Sequence, residues 1–216
     1  VTLDLTGITV SFNSAPLEWW LSLPIIVIYP LLFGWVSYQT ATKLAEHKRR
    51  LQVMSTRDGM TGVYNRRHWE TMLRNEFDNC RRHNRDATLL IIDIDHFKSI
   101  NDTWGHDVGD EAIVALTRQL QITLRGSDVI GRFGGDEFAV IMSGTPAESA
   151  ITAMLRVHEG LNTLRLPNTP QVTLRISVGV APLNPQMSHY REWLKSADLA
   201  LYKAKKAGRN RTEVAA

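Results

Sequence analysis

The run "ATLLIIDIDHF", which begins at residue 87, is almost entirely apolar until it reaches Asp93. A compact apolar run of this kind predicts a strand, from Thr88 to Asp93, whose two faces are both buried. Such a strand lies in the interior of a sheet that carries helices outside it. The chain is therefore expected to contain an α/β domain built around this strand.

The patterns around this strand alternate between helix and strand. Two short apolar runs, "DVIGRF" and "EFAVIM", flank Gly134 and Gly135 and predict a β-hairpin, and "QVTLRISVGVAP" predicts a further strand. Apolar residues at helical spacing predict helices in "RRHWETMLRNEFDNCRRHN", "GDEAIVALTRQLQITL", "PAESAITAMLRVHEGLNTL" and "YREWLKSADLALYKAKKAG". The order helix, strand, helix, hairpin, helix, strand, helix indicates an α/β fold with a mixed central sheet flanked by helices.

Composition argues against several other classes of protein. The 216 residues, of which 44% are hydrophobic, are enough for one packed domain and an appendage. The formal net charge of +3 is too small to indicate by itself that the chain binds a nucleic acid polymer. The single cysteine, Cys80, excludes an intrachain disulfide and a cysteine zinc cluster, and the seven histidines show no spacing typical of a zinc enzyme.

The N-terminal part contains an uncharged segment, "WWLSLPIIVIYPLLFGWVSYQTAT" at residues 19–42, which is followed at once by "KLAEHKRR". A helix that spans a bilayer needs about 20 residues, and an excess of Lys and Arg marks its cytoplasmic side. We therefore expect a transmembrane helix within residues 1–43. A buried core helix and a cleaved signal peptide are the alternatives, but the first rarely runs so long without a charge and the second requires a small-residue cleavage site.

A short linker is expected next. Leu44 and Leu51 lie seven residues apart with charged residues between them, so residues 44–57 are expected to form a linker helix with one heptad of a coiled coil. The turn-forming residues of "STRDGMTG" end this helix. The soluble domain is expected to occupy residues 58–216.

Four acidic residues stand at the ends of predicted strands. Asp93 and Asp95 come at the carboxyl end of the central strand, where ligands gather in open α/β sheets, and Asp136 and Glu137 come in the hairpin turn. Carboxylates gathered in an apolar surround are unfavourable unless a cation or hydrogen bonds compensate. If the strand and the hairpin are neighbours, Mg²⁺ is the cation that such hard oxygen ligands favour. A plain acidic hairpin turn is the alternative.

The segment "FKSINDTWGHDVGD", which begins at Phe97, is rich in groups that recognise a purine edge by hydrogen bonds. Asn101, His106 and Asp110 are the candidates, and a carboxylate such as Asp110 accepts from the N1–H and the amine of guanine. Asp110 stands equally where it would cap the N-terminus of the following helix. A guanine contact and a helix cap both fit the sequence at this position.

Three cationic residues suit a triphosphate. Lys98 follows the acidic strand end, and Lys205 and Arg209 lie four residues apart at the end of the last predicted helix. Cations at the end of a helix also stabilise its dipole, which is the structural alternative for the last two.

Four motifs in this order resemble the GGDEF family of diguanylate cyclases, which is named after the sequence found here at residues 134–138. The motifs are "DGMTGVYNRR" at residues 58–67, "DIDHFKSINDTWGHDVGD" at 93–110, "GRFGGDEF" at 131–138 and "ADLALYKAKKAGRN" at 197–210. The resemblance implies a palm-like nucleotidyl cyclase fold. It also implies an enzyme that condenses two GTP molecules into cyclic di-GMP with release of two pyrophosphates.

The resemblance further implies the roles of individual residues. Those that match metal ligands, for Mg²⁺ or alternatively Mn²⁺, are Asp93, Ile94 through its carbonyl, and Asp136. Those that match catalytic positions are Asp136, Glu137 and Lys98, and the choice of general base between the two acids stays open. Those that match substrate contacts are Asn101, His106 and Asp110 around guanine, Phe97, Lys98, Lys205 and Arg209 near the phosphates, and Gly134 and Gly135 in the turn that approaches the ligand.

The tetrapeptide "RGSD", Arg125 to Asp128, matches the inhibitory RxxD site of the family, where bound product holds the domains in an unproductive arrangement. Arginine grips guanine or phosphate with two hydrogen bonds, and aspartate accepts from guanine. Arg156 is a further candidate for the same site. A surface turn with a local ion pair is the alternative.

Partners and location also follow from the resemblance. Each domain would hold one GTP, so catalysis would require a homodimer. The apolar run is similar to that of membrane-anchored diguanylate cyclases of enteric bacteria, including one that switches on cellulose synthesis. This implies a role in biofilm regulation at the bacterial inner membrane and a catalytic domain in the cytoplasm. A palm-like nucleotidyl transferase that acts on a template is a further alternative, but the sequence lacks a broad basic, aromatic-rich face, so no nucleic acid polymer is expected as partner. An inactive domain that acts as a receptor for GTP or cyclic di-GMP is the alternative, and the intact acids Asp93, Asp136 and Glu137 favour the enzyme.

Overall fold

The computed structural model of the protein describes residues 2–5, 8–11, 28–44, 56–167, 169 and 171–215. The chain divides into two compact units, Val1–Met54 and Ser55–Ala216. In the first unit, strands β1 (Thr2–Leu5) and β2 (Ile8–Ser11) pair in antiparallel fashion. Residues 28–44 of the same unit are helical and are called α1.

The predicted transmembrane and linker segments are covered only in part. Residues 19–27 and residues 45–55 lie outside the described residues. Among the helices that the structure describes, none combines the length and the apolar character that crossing a bilayer requires.

The second unit is built on a six-stranded mixed sheet with the order β3-β5-β6-β4-β7-β8. The two outer pairs, β3 with β5 and β7 with β8, are parallel, and the three inner pairs are antiparallel. The strands are β3 (Tyr64–Asn65), β4 (Ala87–Ile94), β5 (Val129–Gly134), β6 (Glu137–Ser143), β7 (Ile176–Pro182) and β8 (Arg211–Val214). The predicted mixed sheet and the predicted hairpin, which is β5–β6, are confirmed.

Strand β4 lies at the centre of the sheet, as its apolar run predicts. All eight of its residues are buried, and it pairs with β6 on one side and β7 on the other. Its side chains alternate between two hydrophobic clusters, because Leu90 and Ile92 belong to one and Leu89 and Ile91 to the other. The sheet is therefore covered on both faces.

Helices cover both faces of the sheet. Helices α4 (His106–Thr123) and α5 (Ala147–Thr163) contribute to one cluster, and α2 (Arg66–His83) and α6 (Tyr190–Lys206) contribute to the other. The apolar spacing of the sequence predicts all four. It does not predict a fifth helix, α3 (Phe97–Trp104), which is short and whose apolar residues Phe97 and Ile100 are only partly buried against the core.

Helix α6 lies against β7 at backbone distance. Gly179 of β7 permits this, because a Cβ built there would lie 2.2 Å from the carbonyl oxygen of Ala197 and 2.2 Å from the amide nitrogen of Leu201. The buried indole of Trp193 donates to the carbonyl oxygen of Ala181 at 2.8 Å and fixes the same helix. These contacts place the C-terminal end of α6, which carries Lys205, at the end of β4.

Candidate active site

The register of the central sheet brings the two acidic segments together. Strands β4 and β6 pair with Asp93 directly opposite Glu137, and the amide of Ile94 donates to the carbonyl oxygen of Asp136 at 3.4 Å. The strand and the hairpin are thus neighbours, which is the condition that the sequence sets for a gathering of their acids. The acids meet at one end of the sheet.

Two glycines shape the hairpin turn between β5 and β6. The angle φ is +149° at Gly134 and +51° at Gly135, values that residues with a Cβ rarely adopt. A Cβ at either position would meet no atom within 4 Å, so the requirement for glycine is conformational. The same open space allows a ligand to approach the backbone of the turn.

Arg132 holds this turn, and sequence reasoning misses it. Its Nε and Nη2 donate to the carbonyl oxygen of Gly135 at 3.0 and 2.8 Å, and its Nη1 donates to Oδ1 of Asp58 at 3.1 Å. Burial raises the pKa of the Asp58 carboxyl, but hydrogen bonds from Thr61 and Arg132 outweigh it and hold the pKa below its ordinary value. Arg132 therefore ties the acidic turn to the loop that opens the domain.

Asp93 and Asp136 are carboxylates in a poorly solvated place. Burial raises the pKa of Asp93, the ion pair with Lys205 opposes this shift, and the charges of Asp136 and Asp95 reinforce it. Burial also raises the pKa of Asp136, and the charge of Glu137 adds to the effect. Lys205 Nζ lies 2.8 Å from Asp93 Oδ2, so this lysine is a cation that compensates the acids.

The donor set at this place fits Mg²⁺ or Mn²⁺. The carboxylates of Asp93 and Asp136 and the carbonyl oxygen of Ile94 are hard oxygen ligands, and Mg²⁺ usually takes one or two carboxylates and leaves other positions to water and phosphate. Within the described ranges, no three His, Cys, Asp or Glu side chains are arranged to hold a metal ion by themselves. An ion at Asp93 and Asp136 would therefore complete its coordination with backbone, water and substrate oxygens.

Asp95 differs from the other three acids in its surroundings. It is buried, its Oδ1 accepts from the hydroxyl of Ser177 at 2.6 Å, and its Oδ2 accepts from the backbone N–H of Asn210 at 2.8 Å. The two acids at the end of the strand therefore differ: Asp93 lies beside the acidic turn, whereas both carboxylate oxygens of Asp95 accept hydrogen bonds from other protein groups.

Asn101 on α3 lies at a close contact with α4. Its Oδ1 is buried and has no hydrogen-bond partner in the part of the chain that the structure describes. A Cβ built on Gly109 of α4 would lie 1.9 Å from that oxygen and 3.3 Å from Cζ of Phe97. Gly109 thus leaves the space in which the Asn101 amide sits, and a buried amide oxygen without a partner is a group that a polar ligand would satisfy.

The helix-cap interpretation of Asp110 is wrong. Helix α4 begins at His106, has Gly105 at its N-cap and carries no side-chain cap. Asp110 lies in the second turn of the helix with its side chain exposed, and His106 is exposed as well. Both side chains are therefore accessible to a ligand.

The structure places the cations of the site in two environments. Lys205 contacts Asp93, whereas Lys98 on α3 and Arg209 just after α6 are exposed to solvent. Phe97 at the start of α3 is partly buried against the hydrophobic cluster that α4 and α5 share. Of the three cations, Lys205 is therefore the one in direct contact with an acid of the site.

Arg125, Asp128 and Arg156 line one cavity of about 180 Å³ between α5 and the loop after α4. The amide of Arg125 donates to Oδ2 of Asp128 at 2.9 Å, and burial raises the pKa of this carboxyl. The tetrapeptide is thus a turn closed by its own carboxylate, and the same turn brings two arginines to one cavity.

Comparison with known proteins identifies the family. The family model described as "Diguanylate cyclase, GGDEF domain" matches residues 55–211. The chain is similar to the diguanylate cyclase DosC of Escherichia coli K12, with 35% identity over 159 residues, which are 73% of this chain and 34% of DosC. It is also similar to the cyclic di-GMP phosphodiesterase NbdA of Pseudomonas aeruginosa, with 30% identity over 193 residues, which are 83% of this chain and 25% of NbdA. The chain spans about a third of the length of DosC and a quarter of that of NbdA.

A solved structure shares the fold. The crystal structure of the GGDEF domain of DgcB from Caulobacter crescentus in complex with c-di-GMP matches with a TM-score of 0.71 and 30% sequence identity, over 74% of this chain and 96% of that chain. The family model covers most of the chain, and the mixed sheet with its flanking helices has the architecture of the solved domain. The chain therefore belongs to the GGDEF family of diguanylate cyclases.

Proposed function

We propose that this chain is a diguanylate cyclase, which couples two molecules of GTP into cyclic di-GMP and releases two pyrophosphates. The observation that carries the proposal is the pairing of Asp93 with Glu137 across β4 and β6, beside Asp136 and Lys205. Partly buried acids and a compensating cation at the end of a central strand suit the charged groups of a phosphoryl transfer. Membership of the family supports the same activity.

Asn101 and Asp110 bind guanine in this proposal. The carboxylate of Asp110 accepts from the N1–H and the exocyclic amine, and the buried amide of Asn101 bonds to the purine edge. Gly109 makes room for Asn101, and His106 begins the same helix. Adenine has an acceptor at N1, so this pair of residues favours GTP over ATP.

Lys98, Lys205 and Arg209 hold the triphosphate. Lys205 pairs with Asp93 in the structure and is therefore placed to exchange this carboxylate for a phosphate when substrate binds. Phe97 precedes Lys98 on α3, and the turn at Gly134 and Gly135 leaves open space for the nucleotide.

The acids hold the divalent cation and take up a proton. Asp93, Asp136 and the carbonyl of Ile94 would hold Mg²⁺ or Mn²⁺, which when bound lowers the pKa of the attacking 3′-hydroxyl and offsets charge on the leaving pyrophosphate. Asp136 would lie beside the ion, whereas Glu137 is exposed and lies opposite Asp93. One of these two acids takes up the proton of the attacking hydroxyl as the general base.

Two chains have to act together, because each domain holds one GTP and the product contains two nucleotides. The 3′-oxygen of one GTP attacks the α-phosphate of the other, and pyrophosphate leaves. We therefore infer a homodimer with two-fold symmetry, in which both attacks are equivalent. The predicted linker at residues 44–57 would raise the local concentration of the partner domain.

Cyclic di-GMP is proposed to inhibit the enzyme at Arg125, Asp128 and Arg156. The cavity that these three residues share supports the proposal, as does the ability of Arg to bind guanine or phosphate with two hydrogen bonds. Arg125→Ala should raise the inhibition constant for added product by about tenfold or more, because it removes a charge-assisted contact. The rate of the Arg125→Ala variant without added product should stay near that of the unmodified chain. Equal inhibition of both proteins would contradict the assignment.

The first unit is proposed to anchor the chain in the bacterial inner membrane with the catalytic domain in the cytoplasm. In the described part of α1, the large apolar side chains of Leu31, Phe33 and Trp35 are more than half exposed, and the uncharged run ends at Lys43. By analogy with membrane-anchored relatives of enteric bacteria, the product is proposed to act on cellulose synthesis and biofilm formation. The chain should stay in carbonate-washed membranes, and recovery in the supernatant would contradict anchoring.

Incubation of the purified chain with GTP and Mg²⁺, followed by mass spectrometry, tests the enzymatic proposal. Cyclic di-GMP should form from GTP, with two pyrophosphates for each product molecule. Asp93→Asn and Asp136→Asn should form none, whereas Asp78→Asn on the exposed side of α2 should match the unmodified chain. Turnover in either acid variant would overturn the metal assignment. Binding of GTP without turnover by the unmodified chain would indicate a receptor instead.

A further inference from the structure

The buried acid Asp95 joins three strands at one point. It follows β4 directly and is 6% exposed, and its own amide donates to the carbonyl oxygen of Arg175 at 2.9 Å. Its Oδ1 accepts from Ser177 of β7 at 2.6 Å. Its Oδ2 accepts from the amide of Asn210, the residue before β8, at 2.8 Å. Both oxygens of this carboxylate are therefore engaged by protein groups.

The segment that Asp95 holds has an unfavourable backbone. Three of the four residues between α6 and β8 have positive φ: +115° at Gly208, +61° at Arg209 and +45° at Asn210. Glycine tolerates such values, but residues with a Cβ adopt them at a cost and keep them where the surroundings enforce them. The hydrogen bond to Asp95 is such an enforcing contact for Asn210.

A second contact from α5 supports the strand that follows this turn. Nε2 of His158 lies 3.2 Å from Oγ1 of Thr212 on β8, two residues after Asn210. On the other side of the turn, the amide of Arg209 donates to the carbonyl oxygen of Ala204 at 3.0 Å. Arg209 is therefore held between the end of α6 and a network that ends at Asp95.

We propose that Asp95 is a positioning residue for the triphosphate, because its carboxylate fixes the left-handed turn from which Arg209 projects. The inference rests on the proposed function of Arg209 as a phosphate contact. It assigns the two acids at the end of β4 different tasks: Asp93 belongs to the reacting centre, and Asp95 acts through Arg209. Arg209 is thus held in a fixed position, although Asp95 itself does not contact the nucleotide.

A double-mutant cycle on the full chain tests this coupling. Asp95→Ala removes the acceptor of the Asn210 amide, and Asp95→Asn keeps the shape but replaces the charged acceptor with a neutral one. Asp95→Ala should raise KM for GTP by about tenfold and Asp95→Asn by about threefold, with kcat changed less than about threefold in both. In an Arg209→Ala background, neither change should raise KM by more than about twofold, because the group through which Asp95 acts is already absent.

Several results would overturn the inference. Suppose that Arg209→Ala raises KM, and that the Asp95 changes raise KM by the same factor in the Arg209→Ala background as in the unmodified chain. Asp95 then acts independently of Arg209 and the coupling is wrong, while the phosphate role of Arg209 stands. If Arg209→Ala leaves KM unchanged, the phosphate role itself fails, and the inference fails with it. A loss of kcat at unchanged KM in the Asp95 variants also contradicts a role in positioning the phosphates.

Folding is monitored by circular dichroism and thermal melting of each variant. If Asp95→Ala does not fold, the cycle with Asp95→Asn decides alone, by the same criteria. The exposed Asp78 of α2 provides a matched control, since Asp78→Ala removes a carboxylate from the domain and should leave KM unchanged.

Discussion

Asp93 and Asp136 are held where burial raises the pKa of both carboxyls. The folded protein therefore binds their protons more tightly than the unfolded chain does, and keeping both ionised at neutral pH costs stability. Lys205 offsets part of this cost at Asp93, whereas Asp136 has the charge of Glu137 beside it. Functional sites commonly retain charges that the fold alone would not favour.

Asp136→Asn is expected to raise the melting temperature in EDTA while it abolishes product. The amide removes a charge that burial and Glu137 disfavour, and a gain of about 1 kcal/mol corresponds to about 2–4 °C. Because the pKa is raised in the folded state, the gain is full at neutral pH and disappears as the pH falls below the ordinary value of 3.8. Calorimetry over this pH range, with Asp78→Asn as control, measures it. A lower melting temperature, or a gain that grows in acid, would show that the charge is not unfavourable.

Arg132→Lys should lower kcat by about tenfold with little loss of stability. A lysine cannot donate hydrogen bonds to the Gly135 carbonyl and the Asp58 carboxylate at the same time, as the planar guanidinium does. The Gly135 carbonyl would then no longer be fixed, and Asp136 and Glu137 would lose their orientation. Steady-state kinetics measure the effect, with the exposed Arg67→Lys of α2 as the control. An unchanged kcat in Arg132→Lys would show that the turn keeps its shape without this side chain.

At the scale of helices and strands, the site depends on how closely α6 approaches the sheet. Gly179 lets the backbone of α6 touch β7, and α6 ends in the segment that carries Lys205 and Arg209. The contact is made by backbone atoms of Ala197 and Leu201, which cannot turn aside as a side chain can. A larger residue at position 179 would therefore displace the whole helix.

Gly179→Ala is expected to destabilise the domain by about 3 kcal/mol, since the added methyl group overlaps backbone atoms of α6. Gly126→Ala is the matched control, because a Cβ there meets no atom within 4 Å. Chemical denaturation of both variants measures the difference. Similar stability of the two would mean that α6 can move away from β7 at low cost.

Helix α5 contacts β8 through the polar side chain of His158, and this contact should make stability depend on pH. Burial lowers the pKa of His158, so the folded chain holds the neutral ring. The unfolded chain takes up a proton below the ordinary value of 6.5, and the stabilisation is therefore present above that pH and lost as the pH falls below it. His158→Gln should flatten this loss in denaturation measured at several pH values, whereas the exposed His83→Gln should not. A slope that is the same in His158→Gln and in the unmodified chain would contradict this origin.

The elements that the sequence predicts are those whose burial leaves either a continuous apolar run or a periodic apolar pattern. Strand β4 is buried throughout, and Trp69, Leu73, Phe77 and Cys80 recur on the buried face of α2, so both were predictable. Helix α3 is eight residues long with few apolar residues, and β3 has two residues, so both are too short to give a clear signal in the sequence.

The same reasoning applies to the residues of the site. The acids at the strand ends are visible in the sequence because apolar neighbours flank them. The role of Arg132 is not visible, since a hydrogen bond to a backbone carbonyl leaves no trace in residue spacing. The division between Asp93 and Asp95 also depends on contacts with residues that are distant in the sequence, such as Ser177 and Asn210.

In the whole molecule, one domain provides one set of the proposed site residues, and the proposed product contains two nucleotides. If two chains have to meet as proposed, the rate per mole of chain should fall on dilution below the dissociation constant of the dimer. Product formation over a dilution series, with the mass determined by light scattering at each concentration, measures this. A constant rate per mole in samples that are monomeric by mass would rule out the requirement for a second chain.

Acids from β4 and from the hairpin are proposed to hold together a divalent cation that prepares GTP for coupling. A crystal structure of the chain with Mg²⁺ and a GTP analogue that cannot react would show whether they do. We predict that Asp93 and Asp136 both bind the ion and that Lys205 moves from Asp93 to a phosphate. An ion bound away from these two carboxylates, with Lys205 still paired to Asp93, would show that the acids do not form the metal site.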